Sequence, residues 1–109
     1  MVARARIDTI RTLGFAGISG SYAAVGSAFT VNPRIICITN NTAGHLYFTD
    51  DNTVDKLFVA AGSFKLFDLT SNIIPGKDDT FVLAEGTQIY VKQITAPTSG
   101  AVYIELIYG

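Results

Sequence analysis

The sequence predicts an all-β chain folded as one antiparallel β-sandwich, jelly-roll-like or Ig-like, of about seven to eight short strands. Three observations predict it. Runs rich in Val, Ile, Phe, Tyr and Thr recur at intervals of about ten residues, each bounded by Asn, Asp, Gly or Pro. Within the runs apolar residues alternate with period two, and no segment sustains a helical period. The length of 109 residues suits a single core. The expected domain is therefore 1–109, with 1–20 as an N-terminal arm or edge strand.

From the N-terminus, Ile7, Thr9, Arg11, Leu13 and Phe15 alternate with Asp8, Ile10, Thr12 and Gly14, which favours a strand. Gly14, Gly17, Gly20 and Gly26 then interrupt a Ser/Ala-rich stretch and exclude a long helix, so a pliant, bulged strand is expected there. Residues 34–40 read as a central strand, with Ile36 and Ile38 on one face and Ile35, Cys37 and Thr39 on the other. The turn at 40–44 leads to 45–49, predicting a hairpin between these two runs. After the acidic loop 50–53 come strands at 56–59 and 64–69, a Pro-Gly turn at 75–79, a short strand at 81–83 and a turn at Glu85-Gly86. Strands at 88–94 and 102–107 complete the chain. Alternation assigns the core to Ile36, Ile38, Leu46, Phe48, Leu57, Val59, Phe64, Leu66, Phe81, Ile89, Val91, Val102, Ile104 and Leu106.

Hydrophobic residues make up 49% of the chain and charged residues 16%, well under the roughly 25% typical of soluble domains. A surface this short of charge points to partners that cover apolar area, hence to oligomeric assembly. A net charge of −1 supplies no global field for nucleic acid or an anionic membrane. Arg4, Arg6 and Arg11 against Asp8 make the N-terminal segment locally basic, and it is the expected contact with other copies. No apolar run has the length of a membrane helix and no signal peptide is visible, so the chain reads as soluble and not classically exported. The Asn40-Asn41-Thr42 match to a glycosylation acceptor then reads as turn chemistry.

Catalytic chemistry is not expected. His45 is the only histidine, follows a glycine turn and has no Gly-x-Ser-x-Gly elbow to serve; its expected place is the rim. One cysteine with one histidine falls short of a zinc site, and Cys37, inside an apolar run, reads as a small buried hydrophobe. The glycine-rich start lacks the Lys-Ser/Thr of a phosphate loop. Asp50, Asp51, Asn52 and Asp55 offer oxygen ligands, but their spacing departs from a calcium loop, and a solvated hairpin tip is the simpler reading. No cofactor, metal or catalytic residue is expected. Tyr22, Tyr47, Tyr90, Tyr103 and Tyr108, with their apolar rings and polar tips, join Arg4, Arg6 and Arg11 as the candidate interface residues.

The phrases RIICITNNT at 34–42, LYFTDD at 46–51, FVAAGSF at 58–64, GTQIYVKQ at 86–93 and APTSGAVYIE at 96–105 resemble the small all-β virion structural proteins of tailed bacteriophages. That resemblance implies a protein present in many copies at the capsid, neck or tail. Its partners would be copies of itself and other virion proteins, and its location the virion. The alternative from another class is a carbohydrate-binding β-sandwich that attaches to a receptor or glycan. Tyrosine rings lining a groove would favour sugar; a flat apolar patch would favour assembly.

Overall fold

In the computed structural model, residues 6–68 and 85–108 are described. Arg4, Phe81, the turn expected at 75–79 and the strand expected at 81–83 lie outside them. The chain is all-β, with two antiparallel sheets packed face to face. Among the described residues there are nine strands: β1 (Arg6–Ile7), β2 (Arg11–Gly14), β3 (Ala23–Ala24), β4 (Pro33–Thr42), β5 (Leu46–Thr49), β6 (Leu57–Val59), β7 (Ser63–Asp68), β8 (Tyr90–Gln93) and β9 (Gly100–Tyr108). One sheet runs β1-β9-β4-β7 with β2 also on β9; the other runs β3-β8-β5-β6.

The long strands β4 and β9 form the spine of the first sheet, with Ile36 opposite Leu106 and Ile38 opposite Ile104. These four, with Val102, face inward against Leu46, Phe48, Val59 and Val91 of the second sheet, and all are at most 2% exposed. Burying a side chain of this size contributes about 1.5–3 kcal/mol, so this layer is the main source of stability. Ile18, Val25 and Phe29 also join the core, although they lie in the glycine-rich stretch where no core residue was expected. The N–H groups of Val25 and Phe29 donate to Ile89 and Thr87 carbonyls (2.9 and 2.8 Å), so this stretch runs extended beside the approach to β8. Between β2 and β4 the strand residues are Ala23 and Ala24, and a 3₁₀ turn occupies Phe15–Gly17.

Three expectations need correction. Residues 34–49 are not a hairpin: β4 pairs with β7 and β9, whereas β5 pairs with β6 and β8. The chain crosses between the sheets at 43–45 because the buried Asn40 side chain turns it there. Its amide donates to the Gly44 and Val59 carbonyls (2.8 and 3.0 Å), and its Oδ1 accepts the Thr42 N–H at 3.1 Å. Gly44 is needed at this corner because an added Cβ would collide with the Thr95 carbonyl oxygen.

Phe64 and Leu66 are not core residues; they are 63% and 62% exposed. β7 lies on β4 with Leu66 opposite Cys37 and Phe64 opposite Thr39, a register that turns both outward and sets Phe67 opposite inward-facing Ile36. Cys37 shares their outward face and is half-buried rather than enclosed. Of the two roles considered for residues 1–20, the described part takes that of an edge strand. β2 pairs with β9 from Arg11 opposite Ile104 to Gly14 opposite Ala101, and Ile18 seals the core behind it.

Candidate functional site

The two sheets present outer faces of different chemistry. On the five-stranded sheet, register places Ile35, Cys37, Phe64, Leu66, Tyr103 and Ile107 on the outward side, with Glu105 opposite Cys37 and Ile7 opposite Ile107. Ile7, at 83% exposed, extends this surface at the β1 edge. Period two means that outward residues on neighbouring strands lie side by side, so they form one apolar patch with a carboxylate inside it.

On the four-stranded sheet, Tyr47 stands opposite both Phe58 and Lys92, and Thr49 opposite Tyr90. The result is a row of rings. His45 and Phe58 centroids are 5.7 Å apart, and Phe58 meets Tyr47 edge-on at 6.4 Å. Lys92 continues the row, its ammonium 5.7 Å from the Tyr47 centroid and 4.8 Å from that of Tyr22, distances at which cation–π attraction acts. At the end of the row Asp55 Oδ1 receives both the Lys92 ammonium, at 2.8 Å, and the Tyr22 hydroxyl.

This polar corner is set by charge. The Lys92 ammonium, and secondarily the Tyr22 hydroxyl, hold the Asp55 carboxyl below its ordinary pKa. Burial, followed by the Asp55 carboxylate, pushes the Tyr22 hydroxyl well above its ordinary value, so it remains a donor. The preceding turn is equally ordered: Asp51 Oδ1 accepts the Thr53 and Val54 N–H groups, both at 2.9 Å, which holds its carboxyl far below the usual range. Lys56 pairs with Asp50 at 2.7 Å. The acidic loop is thus a hairpin tip joining β5 to β6. Among the described residues, no group of three or more His, Cys, Asp or Glu side chains could hold a metal ion.

The candidate interface residues divide accordingly. Tyr22, Tyr47 and Tyr90 come together on the four-stranded sheet, Tyr103 lies on the opposite outer face, and half-buried Tyr108 ends β9. Arg6 is exposed in β1, opposite Tyr108. Arg11 departs from the expectation of a partner-seeking arginine because it is 6% exposed and used within the chain. Its guanidinium donates to the Ser27 and Ala28 carbonyls (2.8 and 3.2 Å), pairs with Asp8 at 2.9 Å and lies over the Phe29 ring.

Sequence reasoning missed Lys92, Asp55 and Phe58 as members of one surface. Lys92 could have been found, since it alternates with the inward-facing Val91 beside Tyr90. Asp55 and Phe58 could not, because the loop and the β5–β6 register bring them there.

The fold thus defines a two-sheet β-sandwich with one apolar outer face and one aromatic, charge-bearing outer face. No family model matches the chain, and no curated protein matches it. A solved structure with some likeness is the crystal structure of SPP1 Dit (gp 19.1), described as a paradigm of the hub adsorption apparatus in phages infecting Gram-positive bacteria. It shares 12% identity at a TM-score of 0.44, over 96% of this chain and 49% of that one. The chain thus spans about half the length of that protein.

Proposed function

We propose that this chain is a structural, non-catalytic component of a tailed-phage virion, assembling in multiple copies at the capsid, neck or tail through contacts with itself and with other virion proteins. The observation that supports protein contact is the apolar outer face of the five-stranded sheet, where Phe64 and Leu66 are 63% and 62% exposed side by side. Covering those two side chains would contribute about 2–3 kcal/mol per copy, and symmetric assemblies repeat such a gain at every interface. The virion setting rests on the phrase resemblance of the strands to small phage structural proteins. The contact surface of this reading is the sheet face, with Ile7 at its β1 edge, rather than residues 11–14, which pair with β9 within their own sheet.

Sedimentation of the full chain tests the contact. The wild type should associate as its concentration rises, and a Phe64→Ser, Leu66→Ser double variant should stay monomeric with its strand content intact. Mass spectrometry of purified particles from a phage encoding the chain tests the setting. A wild-type chain that remains monomeric and is absent from the particles would overturn the proposal.

A further inference from the structure

The ring-lined face of the four-stranded sheet lies opposite the face used in the assembly reading, and its chemistry differs in kind. Phe58 is 46% exposed and meets Tyr47 only edge-on, so its ring is open to a stacking partner. At the far end of the row both the Tyr22 hydroxyl and the Lys92 ammonium donate to the same carboxylate oxygen, Asp55 Oδ1. Oδ2 is left as an acceptor whose position is already fixed on a carboxylate that is 40% exposed. At the other end the His45 Nδ1 accepts the Ala61 N–H at 3.1 Å, which leaves Nε2 to carry the ring proton outward. Pre-ordered polar groups flanking exposed rings lose little entropy when a ligand binds, and Lys92 and Asp55 cancel each other's charge.

We infer that this face is a binding site for a neutral saccharide, one sugar ring stacking its C–H face on Phe58 beside Tyr47 while its hydroxyls bond Asp55 Oδ2 and the Lys92 ammonium. A neutral polyhydroxylated ligand fits because aromatic rings attract polarised C–H groups, whereas the ion pair leaves no net charge to hold an anion or a cation. The Asp55 carboxylate and the Tyr22 hydroxyl keep the required protonation states through neutral pH, since their pKa values are displaced down and up respectively.

Saturation-transfer NMR with the methyl glycosides of glucose, galactose, mannose, rhamnose and N-acetylglucosamine tests the site on the full chain. At least one glycoside should take up saturation on its ring C–H protons. Asp55→Asn should weaken binding about tenfold, the loss expected when a charge-assisted hydrogen bond becomes a neutral one. Phe58→Leu, which keeps the apolar volume but removes the ring, should abolish the transfer, and Phe58→Tyr should retain it. The double variant on the opposite face, Phe64→Ser with Leu66→Ser, should bind as the wild type does, so a failure of assembly and a failure of sugar binding are read separately. Silence from all five glycosides would overturn the site, as would transfer that survives in both Phe58→Leu and Asp55→Asn.

Discussion

Two loops in this molecule are closed by nearly the same device. At the sheet-to-sheet corner, Asn40 Oδ1 accepts the Thr42 N–H and lies 2.7 Å from the Thr42 hydroxyl. At the β5–β6 tip, Asp51 Oδ1 accepts the Thr53 and Val54 N–H groups and lies 3.3 Å from the Thr53 hydroxyl. The difference is water: Asn40 is fully buried, whereas the Asp51 side chain is 36% exposed. A polar group that loses its partner in the interior keeps the whole desolvation cost, while one at the surface bonds to solvent instead. Burial, rather than the count of hydrogen bonds, therefore sets how much each loop contributes.

The largest effect is expected at the buried corner. Asn40→Leu keeps the volume but takes the amide donor from the Gly44 and Val59 carbonyls and the acceptor from the Thr42 N–H, and should destabilise by about 3 kcal/mol or more in urea unfolding. A loss under about 1 kcal/mol would mean that water enters the corner, and the contrast with the Asp51 tip would break.

Arg11→Met sharpens the comparison from the other edge of the sandwich. It keeps an unbranched apolar side chain but removes the guanidinium that lies over Phe29 and donates to Ser27 and Ala28, and should cost about 2 kcal/mol. Amide exchange in β2 should accelerate with it, which would confirm that the N-terminal strand belongs to the domain. Unchanged protection would return that segment to the role of an arm.

Acid gives a smaller, graded effect. Asp8 is held below its ordinary pKa chiefly by the Arg11 hydrogen bond, and Asp51 and Asp55 are lowered by their own donors. Their folded values lie below the unfolded ones, so their stabilisation is complete above about pH 4 and is lost as pH falls through the folded values. Stability should thus fall on acidification below about pH 4, with a shallower decline in Asp8→Asn. The opposite displacement of Tyr22 and Lys56 predicts a second loss at alkaline pH, as the unfolded tyrosine and lysine give up protons that the folded ones retain. Urea midpoints measured across the pH range would show both limbs.

The smallest effect belongs to Lys56→Gln. Its side chain is 47% exposed while paired with Asp50, so solvent replaces the lost contact and the melting temperature should not move measurably. A clear fall would mean that the tip contributes more than its exposure allows.

Alternation by itself determined the all-β class and the inward phase of Ile36 and Ile38, Ile89 and Val91, and Val102, Ile104 and Leu106. In those runs one choice of phase buries the stronger apolar set. In the run Phe64-Lys65-Leu66-Phe67 both phases hold a large apolar residue, and only the pairing with β4 turned Phe64 and Leu66 outward. Likewise, a run cannot state which strand lies beside it. The separation of β4 from β5 depends on the buried amide of Asn40 and on Val59, 19 residues away, and the inclusion of residues 6–20 depends on β9. The gathering of Tyr22, Tyr47, Lys92 and Asp55 on one face has the same origin. Side-chain phase is a local property with period two, whereas strand partners are chosen by hydrogen bonds and packing between distant segments, which only the tertiary structure decides.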